Sequence, residues 1–142
     1  MLLLVLFALW GDPLVKQVSY DFDRVWNTTH RFLRVDQRWT VRESDRDVGY
    51  LVFDFMDDKK KHDASLELVR VTDSEGRDAV RLRLKVDDAS LYARERFLER
   101  LAHKLRDDYG PPPPPPKKPP PKEEPKPQPP DAAPGPGYQP RP

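Results

Sequence analysis

A seven-residue run at positions 80–86 alternates apolar and basic residues without a break. Because successive side chains of a β-strand point to opposite faces, this run predicts a strand with one buried face. Its apolar residues are expected in a core, and its basic residues, Arg81, Arg83 and Lys85, are expected to face water. Any fold of this chain must therefore supply neighbouring strands and an apolar layer that covers one side of this strand.

Two segments have the periodicity of amphipathic helices and are predicted to form that layer. The first begins near Asp21 or Asp23, whose carboxylates can cap the free amides of a first turn. Its apolar face is Phe22, Val25, Trp26, Thr29, Phe32 and Leu33. The second begins after Asp88 or Ser90 and stops at Gly110, because proline follows. Its apolar face is Leu91, Phe97, Leu98, Leu101, Ala102 and Leu105.

The remaining strand candidates lie around the first helix. Residues 14–20 form a short strand before it, and residues 39–43 and 48–56 form a hairpin after it. In the return strand of that hairpin, Tyr50 and Val52 lie on one side and Leu51, Phe53 and Phe55 on the other. Both faces are thus largely apolar, which predicts a central strand covered on both sides or an outer face that meets another chain.

The last strand candidate before the alternating run is residues 65–72. Residues 57–63 are highly charged and are expected to form the connection that precedes it. The apolar phase changes from Leu66 and Leu68 to Val69 and Val71, which predicts a β-bulge near Leu68. Residues 73–77 are expected to form a turn, with Gly76 at positive φ.

The predicted fold class is α+β, with the element order β-α-β-β-β-β-α. Hairpins preceded and followed by helices are typical of an antiparallel sheet, here of about five strands, with both helices packed on one face. The chain of 142 residues is long enough for one domain of this kind. We predict three parts: an apolar segment at 1–12, the α+β domain at 14–110 and a proline-rich tail at 111–142.

The first ten residues are almost wholly apolar. A helix of ten residues covers only about half of the hydrocarbon core of a bilayer, so this segment cannot span a membrane alone. Its length suits a secretory signal, although no Lys or Arg precedes the apolar run. The alternatives are an uncleaved apolar anchor and a buried first element of the domain.

The tail contains all but one of the 18 prolines. Such a composition favours disorder and polyproline II helix, which at about 3.1 Å per residue makes an extended spacer. Residues 112–117 also match the Pro-x-x-Pro-x-basic pattern that SH3 domains bind. The basic residues Lys117 and Lys118 would attract anionic peptidoglycan or lipid, which suggests that the tail contacts the cell envelope.

Charge and cysteine content exclude several function classes. The net charge is +1 with the two signs interspersed, which is not the pattern of a nucleic-acid binder. The chain has no cysteine, so it has no disulfide, catalytic thiol or lipid-bearing cysteine. The carboxylates around His62 lack the glycine and closing glutamate of an EF-hand loop. We therefore expect no enzyme activity, no metal and no cofactor.

The element order and a few aromatic positions resemble a known group of proteins. The pattern Phe22-Asp23-Arg24-Val25-Trp26 opens a helix that leads to Trp39-Thr40-Val41 and Gly49-Tyr50-Leu51-Val52. This arrangement is similar to small envelope domains of Gram-negative bacteria and, in topology, to the helix-grip domains of the outer-membrane assembly lipoprotein BamC. The resemblance implies export to the envelope, and it transfers no functional residue to this chain.

Two functions of different class follow from these observations. The first is a non-catalytic envelope or periplasmic interaction module that binds a protein or another envelope component. Its candidate interaction residues are Tyr50, Val52, Phe53, Phe55, Arg81, Arg83, Lys85, Lys117 and Lys118. The second is a cytoplasmic or membrane-tethered adaptor whose tail is a ligand for a partner domain, and a small-ligand binder is a third possibility.

Overall fold

A computed structural model describes residues 12–119, and in this range the chain forms five strands and two helices. In chain order they are β1 (Leu14–Val18), α1 (Phe22–Arg31), β2 (Val41–Asp45), β3 (Tyr50–Asp57), β4 (Lys60–Thr72), β5 (Asp78–Val86) and α2 (Leu91–Tyr109). A π-helical turn, Phe32–Asp36, directly continues α1. The predicted α+β class and element order are confirmed. The apolar segment before Asp12 and the tail from residue 120 lie outside the described residues.

The sheet is antiparallel throughout, in the order β1-β5-β4-β3-β2. The first of the described strands therefore lies beside the last of them, and Leu14 pairs with Leu84. The middle position belongs to β4, and β3 lies between β4 and β2. Of the two alternatives for β3, a central strand covered on both sides is not found among the described residues, and an outer face that meets another chain stays a prediction. Both helices cover the same face of the sheet, as their apolar faces predict.

The inward residues of β5 form the middle of the core. Val80, Leu82 and Leu84 are fully buried, and the predicted orientation of this strand is thereby confirmed. The two helices begin where the sequence places their caps. The Asp21 carboxylate accepts a hydrogen bond from the Arg24 amide, and the Ser90 hydroxyl accepts one from the Ala93 amide. Such caps stabilise a helix by about 1 kcal/mol each.

An aromatic cluster joins α2 to the β3 side of the sheet. The ring of Phe97 lies 5.6–5.7 Å from four other rings, measured between centroids. These rings are Phe32, Trp39, Phe53 and Phe55. Offset or tilted pairs at this distance stabilise by about 0.5–1.5 kcal/mol each beyond the area that they bury. The cluster consequently fixes the inward face of β3.

The predicted charged connection at 57–63 is wrong in length. β3 and β4 are joined by a turn of two residues, Asp58 and Lys59, and β4 begins at Lys60. Both turn residues have positive φ, at 46° and 67°. This backbone is that of a type I′ hairpin turn, whose twist matches the twist of the flanking strands.

The β-bulge predicted near Leu68 is absent from the described sheet. The pairing of β4 with β5 continues without a shift from Ala64 opposite Val86 to Thr72 opposite Asp78. Leu66 and Leu68 face the helices, and the valines that follow lie on the other face. The described sheet is irregular instead in β2, between Val41 and Glu43.

The apolar face of α2 differs from the prediction at one position. Leu91 is 53% exposed, whereas Phe97, Leu98, Leu101 and Leu105 are buried. Leu91 lies in the first turn, ahead of Ala93, which is the first α2 residue packed against the core.

Candidate functional site

The face of the sheet that points away from the helices is the candidate interaction surface, and we call it the outer face. It presents exposed apolar side chains on β1 and β3. Val15 is 50% exposed, Tyr50 is 38% exposed and Met56 is 40% exposed. Val52 is half-buried on the same face because it lies between neighbouring strands. Among the described residues, neither helix covers this surface.

Strand register places the basic residues of β5 beside these apolar side chains. Arg83 lies opposite Val15 on one side and opposite Glu67 on the other. Glu67 in turn lies opposite Tyr50. The outward side chains Tyr50 and Val52 of the return strand and the basic residues of β5, which the sequence suggested as separate surfaces, thus lie on one face.

The charges of β5 are only partly balanced. Arg83 forms an ion pair with Glu67 at 3.3 Å, and both side chains are nearly half exposed. Exposed pairs of this kind stabilise a protein by about 0–1 kcal/mol, so either partner can exchange its contact for another. Arg81 lies opposite Val69 and forms no ion pair within the described part of the chain.

Carboxylates concentrate at the opposite side of the outer face. Arg42 on β2 contacts two of them, Asp54 at 3.1 Å and Asp63 at 2.7 Å. The contact with Asp54 is close but is not aligned as a hydrogen bond, whereas the contact with Asp63 is. Lys61 lies 4.0 Å from Asp54. The outer face is therefore basic along β5. Along β2 and β3 it carries both charge signs, because its carboxylates lie in contact with Arg42 and Lys61.

Two of the predicted interaction residues do not belong to this surface. Phe53 is 0% exposed and Phe55 is 2% exposed, because both point into the aromatic cluster under α2. Their assignment as interaction residues is wrong. Tyr50, Val52, Arg81, Arg83 and Lys85 all lie on the outer face, with Lys85 less exposed than the two arginines.

The first residues of the tail lie against the domain rather than away from it. Pro113 and Pro116 line a cleft at the turn between β4 and β5, together with Arg24 and Arg77. The Pro113 carbonyl is 3.5 Å from Arg77 Nη1. Lys117 and Lys118 are exposed and form no ion pair with residues 12–119.

The turn beneath this part of the tail is built around Asp73, whose side chain is 6% exposed. Burial disfavours the charged carboxylate, but hydrogen bonds from Arg77, the Ser19 hydroxyl and the Glu75 amide outweigh it. They hold the pKa of Asp73 well below its ordinary value. Gly76 has a φ of +79°, as predicted, and completes the turn.

His62 and Asp63 contact different partners. His62 Nδ1 lies 2.8 Å from the Asp87 carbonyl oxygen, and the Asp63 carboxylate binds Arg42 on the outer face. Across residues 12–119 there is no group of three or more His, Asp or Glu side chains that could hold a metal ion.

A second concave surface was missed in the sequence because its residues come from three elements. Arg31 on α1, Arg34 on the π-helical turn and Arg46 after β2 line one open cleft of about 560 Å³. Burial lowers the pKa of His30 at its edge, and the positive charge of Arg34 lowers it further. The available signal was the density of arginine between positions 31 and 46.

Comparison with known proteins identifies no relative from which a function could be inferred, so a function must be inferred from the surfaces described above. No protein-family model matches the chain, and no curated protein matches it significantly. Neither α1 nor α2 is long and apolar enough to cross a membrane, and no other helix within residues 12–119 is.

Proposed function

We propose that this protein is a non-catalytic interaction module of the bacterial cell envelope, exported to the periplasm, with its proline-rich tail as a spacer. The observation that supports this most directly is the outer face, where exposed apolar side chains on β1 and β3 lie on the same face as the basic residues of β5. The apolar segment before residue 12 and the topological resemblance to envelope domains support the location.

The partner that fits the outer face is a folded protein with an apolar ridge flanked by carboxylates. Tyr50 and Met56 supply apolar contact area, and tyrosine is enriched at the centres of protein interfaces. Arg81 and Arg83 would meet the carboxylates, which would compete with Glu67 for Arg83. Charge complementarity of this kind gives specificity and a faster association rate more than raw affinity.

Location is tested by expressing the full chain in a Gram-negative host and separating periplasm, membranes and cytoplasm. Mass spectrometry of the N-terminus then distinguishes the alternatives for the first segment. A shortened N-terminus in the periplasm is expected, and an intact Met1 in the soluble cytoplasm would overturn the export proposal.

Binding is tested by placing a photo-crosslinking amino acid at Tyr50 and, in a matched variant, at Tyr92. Tyr92 is 68% exposed at the start of α2, away from the outer face. We expect an adduct from position 50 and none from position 92. The protein identified in the adduct is then purified, and its affinity is measured for Arg83→Glu and for Arg96→Glu, an exposed α2 control. Equal affinity in both variants would contradict a role of the outer face.

The alternative function is an adaptor whose tail is the ligand of a partner domain. The observation that favours it is the exposed Lys117 at the end of the Pro-x-x-Pro-x-basic pattern. Deleting residues 111–142 separates the two proposals, because it abolishes binding to such a partner and leaves binding through the outer face unchanged.

A further inference from the structure

The cleft between α1 and the β2 end of the sheet has an unusual lining. Arg31, Arg34 and Arg46 line it, and the described lining residues include no Asp or Glu. Side-chain amide and hydroxyl groups from Asn27 and Ser44 add further hydrogen-bond donors. The cleft is therefore a concave array of donors with a positive charge.

Two of the three arginines have no counter-ion among the described residues. Within residues 12–119, neither Arg31 nor Arg34 forms an ion pair, and both are exposed. Arg46 is bound to Asp23, with 2.6 Å between Nη2 and Oδ1, which also fixes its position at the rim. A guanidinium group binds oxyanions through paired N–H groups. This applies to Arg31 and Arg34, which have no ion pair among the described residues, and to the N–H groups of Arg46 that Asp23 does not occupy.

The local backbone explains why these side chains converge. In an α-helix, residues 31 and 34 lie on one face. The backbone becomes π-helical from Phe32 onward. Both Arg34 and Val35, which follow in this π-helical turn, line the cleft. Ser44 lies opposite Leu51 and so faces the helix layer, which closes the cleft from the sheet side.

The lining of the cleft also includes the apolar side chains of Trp26 and Val35. Trp26 is packed on His30, with ring centroids 5.1 Å apart, and Val35 is 59% exposed. An inorganic ion would use only the donors, whereas an ester would also contact these apolar groups.

We propose that this cleft is a binding site for a phosphate group, carried by a soluble phosphate ester or by an anionic lipid headgroup. Phosphate presents several oxygens to several donors at once, and its charge matches two unpaired guanidinium groups. This site lies on the helix side of the sheet and is independent of the outer face.

The test uses the full chain, labelled with ¹⁵N and titrated with inorganic phosphate at constant ionic strength against chloride. Saturable shifts are expected at the Trp26 indole and at the amides of Arg34 and Ser44. Bound phosphate should also raise the pKa of His30, whose charged neighbours around the cleft are the three arginines and Asp23. Shifts that do not saturate, or that chloride reproduces, would overturn the proposal.

A charge-matched pair of variants assigns the binding to the cleft. Arg31→Gln with Arg34→Gln removes the two unpaired groups, and Arg96→Gln with Arg100→Gln removes two exposed arginines of α2. We expect the first variant to lose about tenfold in phosphate affinity, which corresponds to about 1.4 kcal/mol. The second should bind as the unmodified chain does. Equal loss in both would show general electrostatic attraction and contradict a built site.

The source of the phosphate is distinguished by two further ligands. Vesicles of phosphatidylglycerol are compared with vesicles of phosphatidylcholine, and glycerol 3-phosphate is titrated separately. A difference between the vesicles that the Arg31/Arg34 variant abolishes assigns the site to a lipid headgroup. Binding of glycerol 3-phosphate with no such difference assigns it to a soluble ester.

Discussion

Gly49 lies immediately before β3, where the backbone passes very close to β4. Its φ is +77°, and a Cβ atom at this position would lie 2.4 Å from the Leu68 carbonyl oxygen. It would also lie 3.3 Å from Cε2 of Phe22. The Leu68 amide donates a 2.7 Å hydrogen bond to the Gly49 carbonyl, so the two strands cannot separate without losing it.

The cost of Gly49→Ala is estimated from these contacts. A non-glycine residue at positive φ costs about 1–2 kcal/mol. Displacing Leu68 from its bond leaves buried backbone groups unpaired, which costs about 1–3 kcal/mol. The expected loss is therefore about 2–5 kcal/mol, against a total stability of about 5–15 kcal/mol for a domain of this size.

Gly76 provides the matched control. Its φ is +79°, nearly the same, but its Cβ would meet only side-chain atoms of Pro116, at 3.5 Å or more, among the described residues. Gly76→Ala should lose only the conformational cost of about 1–2 kcal/mol. Urea unfolding followed by tryptophan fluorescence measures both variants. If the two lose the same free energy within about 0.5 kcal/mol, the close approach of β3 and β4 does not determine the cost.

Three further outcomes are expected. Leu84→Asp should unfold the domain, because an unpaired buried charge costs several kcal/mol. Arg83→Asp on the outer face should cost about 1 kcal/mol or less. Equal losses of melting temperature in the two variants would show that the two faces of β5 are assigned wrongly. The stability contributed by the ionised Asp73 is fully present above its unfolded pKa of 3.8 and is lost as the pH falls through its lower folded pKa. Asp73→Asn should therefore lower the urea midpoint at pH 7 and reduce the loss of stability on acidification. An acid profile unchanged by the substitution would contradict this role of Asp73. Deleting residues 111–142 removes the 3.5 Å contact at Arg77 and should change stability by less than about 1 kcal/mol, and a larger drop in a thermal melt would mean that the tail is part of the fold.

The regular elements were predictable where one face is apolar and the other polar. β5 is the clearest case, and the caps at Asp21 and Ser90 follow from the same local chemistry. β4 was wrongly predicted to contain a bulge because Val69 and Val71 are apolar on the outer face, where neighbouring strands half-bury them. Periodicity alone does not distinguish such a strand from one with a bulge.

The turn and the cleft were hidden from the sequence for other reasons. Asp58 and Lys59 adopt positive φ without a glycine or asparagine, the residues by which such a turn is usually recognised. The cleft depends on a tertiary contact that brings Arg46 to Arg31 and Arg34. On the outer face, Tyr50 and Arg83 were each predicted to be accessible, but only the strand order shows that one residue, Glu67, separates them.

The pairing of β1 with β5 has a consequence for the way in which the domain forms during synthesis. Of the described strands, β1 is the first to be made, yet its only neighbour in the described sheet is β5, the last to be made. Closing so long a loop costs conformational entropy before any contact compensates for it, and such non-local pairing slows folding. A nascent chain that has not reached Val86 therefore leaves β1 without a partner and one side of β4 unpaired. Translation speed and chaperone binding before that point should thus affect the yield of native protein more than either does afterwards.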